Sequence, residues 1–161
     1  MALAVYAGTF DPVTKGHQDI AERAASMFDR IIVAVFDTPG KTLLFSTEER
    51  VEFLLRAVSH LPNIEVMPYN GLTVKFAKEL GATVMVRGLR SITDLDYEAA
   101  MVMMNRKLYP EIDTVFLYTS LEYQFISSTL IKEVARYGGN LTNLVPDHVA
   151  TALRAKYRTS S

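Results

Sequence analysis

Five short apolar runs recur along this chain, at Leu3–Ala7, Ile31–Phe36, Ile64–Met67, Thr83–Val86 and Thr114–Tyr118, with helical patterns between them. Runs of that length read as buried strands. The intervening segments carry helix signals of their own. Ile20, Ala24, Met27 and Phe28 follow helical spacing, and Ser46-Thr47-Glu48-Glu49 reads as a capping box before the apolar face of Val51, Leu54, Leu55 and Val58. Val74, Ala77 and Leu80 mark a shorter helix stopped by Gly81, and Asp94 to Leu108 a long one. Leu130, Ile131, Val134 and Ala135 line another, ended by Gly138-Gly139. A last helix starts near Pro146, with Val149, Ala152 and Leu153 inward. Strand and helix alternating with right-handed crossovers predict a doubly wound α/β fold, a parallel sheet of five strands flanked by helices. The common order 3-2-1-4-5, adopted rather than derived, makes the first and fourth strands neighbours.

Composition sets bounds on this frame. The 161 residues read as one domain, 1–161, with 49% hydrophobic and 22% charged residues, as expected of a folded globular chain. A net charge of −1 gives no global basic field for nucleic acid, although a local cationic site remains open. Absence of cysteine excludes disulfides, thiolate catalysis and cysteine zinc sites. The N-terminus shows no basic leader, and no run approaches the roughly 18 apolar residues of a membrane span, so a cytoplasmic protein is expected. No repeat or linker is visible, and only Arg158–Ser161 is expected to fray.

The chemistry concentrates where the first strand hands over to the first helix, in Gly8-Thr9-Phe10-Asp11-Pro12-Val13-Thr14-Lys15-Gly16-His17. Gly8 permits a tight exit and Asp11-Pro12 marks a turn. The crevice at the strand ends of an open α/β sheet is where ligands bind, and helix N-termini favour anions. Arg87-Gly88-Leu89-Arg90 after the fourth strand would face the same crevice, and Ser127-Ser128-Thr129 after the fifth would close it from the side. Two arginines flanking a glycine can fork onto phosphate oxygens; the plainer alternative is an ion pair with Asp94 or Asp96. Phosphate chemistry is the expectation.

These residues resemble the nucleotidylyltransferase superfamily, whose His(or Thr)-x-Gly-His element reads here Thr14-Lys15-Gly16-His17 and whose second element reads Ile126-Ser127-Ser128-Thr129. Within it, the chain resembles the phosphopantetheine adenylyltransferase family from about Leu3 to Lys156. That narrowing is carried by Gly8 to Pro12, by Arg87 to Arg90 with Asp96-Tyr97-Glu98, by Met104-Asn105-Arg106, and by Phe125 to Ser128 before Lys132-Glu133-Val134-Ala135. The resemblance implies transfer of adenylate from ATP to the phosphate of 4′-phosphopantetheine by direct in-line attack, giving dephospho-coenzyme A and pyrophosphate. The attacking phosphate is already anionic, so the site must align anions and stabilise charge rather than create a nucleophile. Mg²⁺ held mainly by the ATP phosphates is implied, with no protein metal ligands, and isolated histidines such as His60 and His148 suggest none.

By the same resemblance His17, Lys41 and Arg90 are the catalytic residues, with His17 hydrogen-bonding the α-phosphate in the transition state. Thr9 should meet both substrates. Phe10, Gly88, Leu89, Arg90, Glu98, Tyr123, Gln124, Phe125, Ile126, Ser127, Ser128 and Thr129 match ATP positions. One of the three hydroxyls in 127–129 is also expected to cap a helix. Lys41, Thr73 and Arg87 match acceptor positions, joined by Leu72, Met101, Met104 and Asn105 near the pantetheine arm. Ala7, Thr73 and Thr129 depart from the family's frequent residues without removing a charge or a donor. Coenzyme A is implied as a feedback ligand. Ala99 to Met104 are apolar nearly all round a helix, which predicts a subunit contact, and the family is hexameric. Two other readings are weighed against this one: a related transferase acting on nicotinamide mononucleotide or a polyol phosphate, and a regulatory module that holds ATP without turning it over.

Overall fold

A computed structural model describes residues 1–38 and 42–158. The strands are β1 (Leu3–Gly8), β2 (Arg30–Phe36), β3 (Ile64–Tyr69), β4 (Val84–Leu89) and β5 (Asp113–Tyr118). All neighbours pair parallel, in the order β3-β2-β1-β4-β5. The helices are α1 (Lys15–Met27), α2 (Thr47–Ala57), α3 (Thr73–Glu79), α4 (Ile92–Leu108), α5 (Ser128–Arg136) and α6 (Asp147–Arg158), with a single 3₁₀ turn at Leu121–Tyr123. Sequence periodicity and structure therefore agree on element order, and the adopted strand order is the one observed.

Alternation along the strands divides the core into two layers. Ala4 and Tyr6 of β1 and Ile31, Val33 and Val35 of β2 face one side, where Ile20 and Ala24 of α1, Leu54 of α2, Ile131 of α5 and Leu153 of α6 cover them. Val5 and Ala7 with Ile32 and Ala34 face the other, against Val74 and Ala77 of α3. Both faces of the central strands are thus buried, as all-parallel sheets require. Met27, Leu55 and Leu130, counted on apolar helix faces in the sequence, are instead exposed.

Two boundaries differ in ways that matter. The fourth strand was expected to end at Val86, but β4 continues to Leu89, with Arg87 opposite Phe116 and Gly88 opposite Leu117 of β5. Arg87 therefore stands on a hydrogen-bonded strand rather than a loop. Gly88 eases this: a Cβ there would lie 3.1 Å from Cγ1 of Ile20, so any other residue would make Ile20 or α1 give way slightly. The first helix begins at Lys15, ahead of the apolar periodicity, because Thr14 caps it. At α2 the expected box is present: Ser46 Oγ accepts from Glu49 N at 3.1 Å and the Glu49 carboxylate accepts from Ser46 N at 2.9 Å.

Candidate active site

The β1–α1 turn is built from reciprocal hydrogen bonds. Thr14 Oγ1 accepts from His17 N at 3.3 Å, and His17 Nδ1 accepts from Thr14 N at 3.0 Å. This is a capping box in which histidine stands where glutamate or glutamine usually does. A backbone donor on Nδ1 leaves the proton of the neutral ring on Nε2. Burial, with the nearby Arg90 and Arg87 guanidinium groups, lowers the His17 pKa from its ordinary 6.5 to about 4. His17 is therefore a neutral Nε2–H donor at physiological pH.

Beneath it lies Phe10, buried and with φ 51°, a left-handed backbone that costs a non-glycine residue on the order of 1–3 kcal/mol. Its ring meets His17 edge-on at 5.0 Å and Tyr6 at 5.4 Å. It also lies against Gly8, where a Cβ would stand 3.0 Å from its Cζ. The Phe10 side chain is therefore core.

A cavity of about 380 Å³ opens over this turn, lined by Thr9, Phe10, Thr14, Gly16, His17, Arg87, Gly88, Arg90, Tyr123, Ile126, Ser127, Ser128 and Thr129. Strand ends β1 and β4 and the N-termini of α1 and α5 converge there, so segments more than a hundred residues apart in sequence form one wall. Arg90 Nη1 donates to Ile126 O at 3.2 Å, and its Nε lies 3.5 Å from Asp94 Oδ2, so the alternative ion pair with Asp94 does form. Ser127 is the hydroxyl that caps α5, accepting from Leu130 N at 3.1 Å, whereas Ser128 Oγ donates to Pro12 O at 2.8 Å. Leu89 is buried at the end of β4, Gln124 Nε2 donates to Thr119 O, and Phe125 is exposed. None of these three lines the cavity.

A second cavity, of about 470 Å³, lies on the other face between α4 and the start of α3, lined by Leu72, Thr73, Arg87, Glu98, Met101 and Asn105 among others. Arg87 lines both cavities. It does not pair with Asp96. Glu98 takes it at two points, and Nη1 donates to Ala7 O at 2.9 Å. Glu98, matched by resemblance to ATP, lines this second cavity as the partner of Arg87. Met104 is exposed and lines neither cavity. Lys41 lies outside the described residues.

Asp11 and Lys132 in the cavity wall, and the buried Arg50 behind it, were not singled out by the sequence reading. Asp11, taken only as a turn residue, is 3% exposed and accepts from Leu44 N at 3.0 Å, Phe45 N at 2.9 Å and Lys132 Nζ at 3.0 Å. Lys132 thereby reaches the first cavity from one turn into α5. Arg50, fully buried on α2, carries no sequence signal that singles it out. A buried acid and a buried base have no local signature when their partners lie dozens of positions away. Among the described residues no three His, Cys, Asp or Glu side chains come together to hold a metal, and Asp11 spends its oxygens on protein donors. No described helix is long and apolar enough to cross a membrane.

The chain can be set beside known proteins. Residues 5–134 match the cytidylyltransferase-like family model. It is 51% identical to the phosphopantetheine adenylyltransferase of Desulforudis audaxviator, covering 98% of this chain and 96% of that one. The enzyme of the same name from Carboxydothermus hydrogenoformans is 50% identical, with 98% of each chain covered. That from Thermomicrobium roseum is 51% identical over 97% of this chain and 95% of its own. Among solved structures, a Vibrio parahaemolyticus protein provisionally named nicotinate-nucleotide adenylyltransferase superposes with a TM-score of 0.69 at 16% identity, covering 98% of this chain and 96% of that one. At that identity the likeness speaks for the fold alone.

Proposed function

The chain belongs to the phosphopantetheine adenylyltransferase family, and we propose that its two cavities divide that reaction's two substrates between them. The enzyme transfers the adenylyl group of ATP to 4′-phosphopantetheine, giving dephospho-coenzyme A and pyrophosphate. ATP occupies the cavity over the His17 turn, and the pantetheine arm lies in the cavity beside α4. The observation that carries this reading is Arg87, the guanidinium in the wall of both. A cation between two anion sites is what the meeting of two mutually repelling phosphates requires.

An oxygen of the acceptor phosphate attacks the α-phosphorus in line. The bond from that phosphorus to the bridging oxygen breaks, and pyrophosphate leaves with the electron pair; no covalent enzyme intermediate forms. His17 donates Nε2–H to the α-phosphate oxygens as charge builds on them, without a proton leaving the ring. Arg90 holds the nucleotide phosphates, Lys41 and Arg87 the acceptor phosphate, and Thr9 meets both. Backbone of Phe10 and Gly88 with Tyr123 and Ile126 accommodates the nucleotide in the cavity, Leu89, Gln124 and Phe125 flank it from outside, and Ser127, Ser128 and Thr129 receive its terminal phosphates at the start of α5. Thr73, Leu72, Met101 and Asn105 line the pantetheine arm. Glu98 acts through Arg87. Mg²⁺ arriving with ATP would be held by phosphate oxygens and water rather than by protein ligands, and would supply charge neutralisation.

Coenzyme A, which shares the pantetheine arm, competes for the second cavity. The exposed apolar surface of α4 is covered by further copies of the chain in a hexamer. The enzyme works as a single domain in the cytoplasm, where ATP is at hand. Paired substitutions test the division of substrates. Arg87→Ala should raise KM for phosphopantetheine about ten-fold or more with little change for ATP, and Arg90→Ala the reverse. Equal effects of both variants on both substrates would refute two separate pockets.

A further inference from the structure

Arg50 is only 2% exposed, and among the described residues it makes no ion pair with a carboxylate. Its guanidinium is satisfied almost entirely by carbonyls. Nη1 donates to Thr9 O at 2.8 Å and to Phe36 O at 2.9 Å, and Nε donates to Phe45 O at 3.2 Å. Nη2 donates to Thr47 Oγ1 at 2.9 Å, and that hydroxyl donates onward to Asp37 at 2.8 Å. Three acceptors thus come from three places: the exit of β1, the last residue of β2, and the lead-in to α2.

Asp11, Asp37 and Glu48 lie near enough to favour its charge, but no carboxylate takes the guanidinium directly and burial still lowers its pKa, so an arginine held here by carbonyls needs a reason beyond filling space. The location supplies one. The β1–β2 ladder closes at Gly8 opposite Val35, and the next residues of both strands enter the crevice. The Thr9 carbonyl belongs to the peptide that leads into Phe10, whose φ of 51° is held in place against its own preference. Fixing that carbonyl fixes the plane of the Thr9–Phe10 peptide, and so the aim of Thr9 and the seat of the Phe10 ring under His17. The tie runs both ways: Phe45 gives its carbonyl to Arg50 and its N–H to Asp11, two residues along the same turn. Only a planar fork with several donors serves carbonyls in different directions at once.

We infer that Arg50 is a positioning residue for the adenylyl transfer: without touching substrate, it locks the Thr9–Phe10 peptide and ties the β1 exit to the ends of β2 and α2. The inference rests on the reading that Thr9 meets the substrates, and the test separates the two. Arg50→Lys keeps the charge but not the fork. Thr47→Val removes one acceptor and leaves all backbone contacts, a milder change should the lysine variant fail to fold. Both are compared with Thr9→Ala by steady-state kinetics in each substrate, by circular dichroism, and by hydrogen exchange of the Phe10 amide.

The expected result for a folded Arg50→Lys is a kcat lower by about ten-fold or more, KM for ATP changed less than about three-fold, and faster exchange at Phe10. Thr47→Val should show the same pattern at a few-fold. Loss of thermal stability with wild-type kcat in the folded fraction would overturn the inference, because a purely structural arginine behaves that way. So would wild-type kcat in Thr47→Val if the lysine variant does not fold. A slow Thr9→Ala beside a normal Arg50→Lys would sink the inference alone. A normal Thr9→Ala would sink the reading of Thr9 and the inference together.

Discussion

Arg87 on β4 and Glu98 on α4 meet at two points, Nε to Oε2 at 3.1 Å and Nη2 to Oε1 at 2.6 Å, in the wall between the two cavities. Burial alone would lower the arginine's pKa, and the Glu98 contact, with Tyr6 and Tyr69, more than offsets it, so the guanidinium stays charged between the two cavities. Glu98 engages its Nε and Nη2 and Ala7 O its Nη1, so the guanidinium is held in place by the protein with one further N–H left on each Nη.

Glu98→Ala should therefore raise KM for phosphopantetheine about ten-fold while leaving KM for ATP within about two-fold. Steady-state kinetics in both substrates read this directly. A rise confined to ATP would return Glu98 to the nucleotide pocket, where the family resemblance had put it.

The His17 cap makes a prediction about protons. The folded ring has its pKa lowered to about 4, against 6.5 in an unfolded chain. Between those values the unfolded state binds a proton that the folded state does not. Stability rises with pH across this window and is lost as pH falls through it, by at most about 3 kcal/mol. Nitrogen-detected NMR should find Nδ1 unprotonated and Nε2 protonated, with a titration midpoint near 4. Denaturant melts of His17→Gln should depend less on pH between 4 and 6.5 than those of the wild type. A midpoint near 6.5, or a proton on Nδ1, would contradict the cap.

Local chemistry and periodicity carried most of the fold into view. The Ser46 box and the Gly81 stop depend on residues within one turn, and they were legible. The arginine strand was misjudged by three residues because Arg87 and Gly88 do not look like strand interior. What admits them is the fit of Ile20 from α1 against Gly88, a contact 68 positions away that no window could contain. That the segment from Thr9 to His17 forms a cavity wall was likewise readable, since the motif is contiguous. Asp11, Arg50 and Lys132 were not, because their meaning lies in partners on other elements. Glu98 was seen but assigned by resemblance, whereas its side-chain geometry ties it to Arg87.

On α4 the apolar residues do not form one stripe. Ile92, Tyr97 and Met103 are 74%, 84% and 72% exposed, and Met101 and Met104 are more than half exposed. A second copy of the chain covers this surface in the proposed assembly. Sedimentation at micromolar concentration should show an oligomer for the wild type and a smaller species for Met103→Glu, whose charge would be buried in the contact. A monomeric wild type would contradict the assembly.

The central claim is that His17 serves the transition state from its capped, neutral form. The most direct measurement is pyrophosphate release from Mg²⁺-ATP, with and without 4′-phosphopantetheine, for the wild type and His17→Ala. Release that needs the acceptor and falls by about 10²–10³ in kcat, with ATP binding largely intact, is the predicted result. A kcat within a few-fold of wild type in a folded His17→Ala would contradict it.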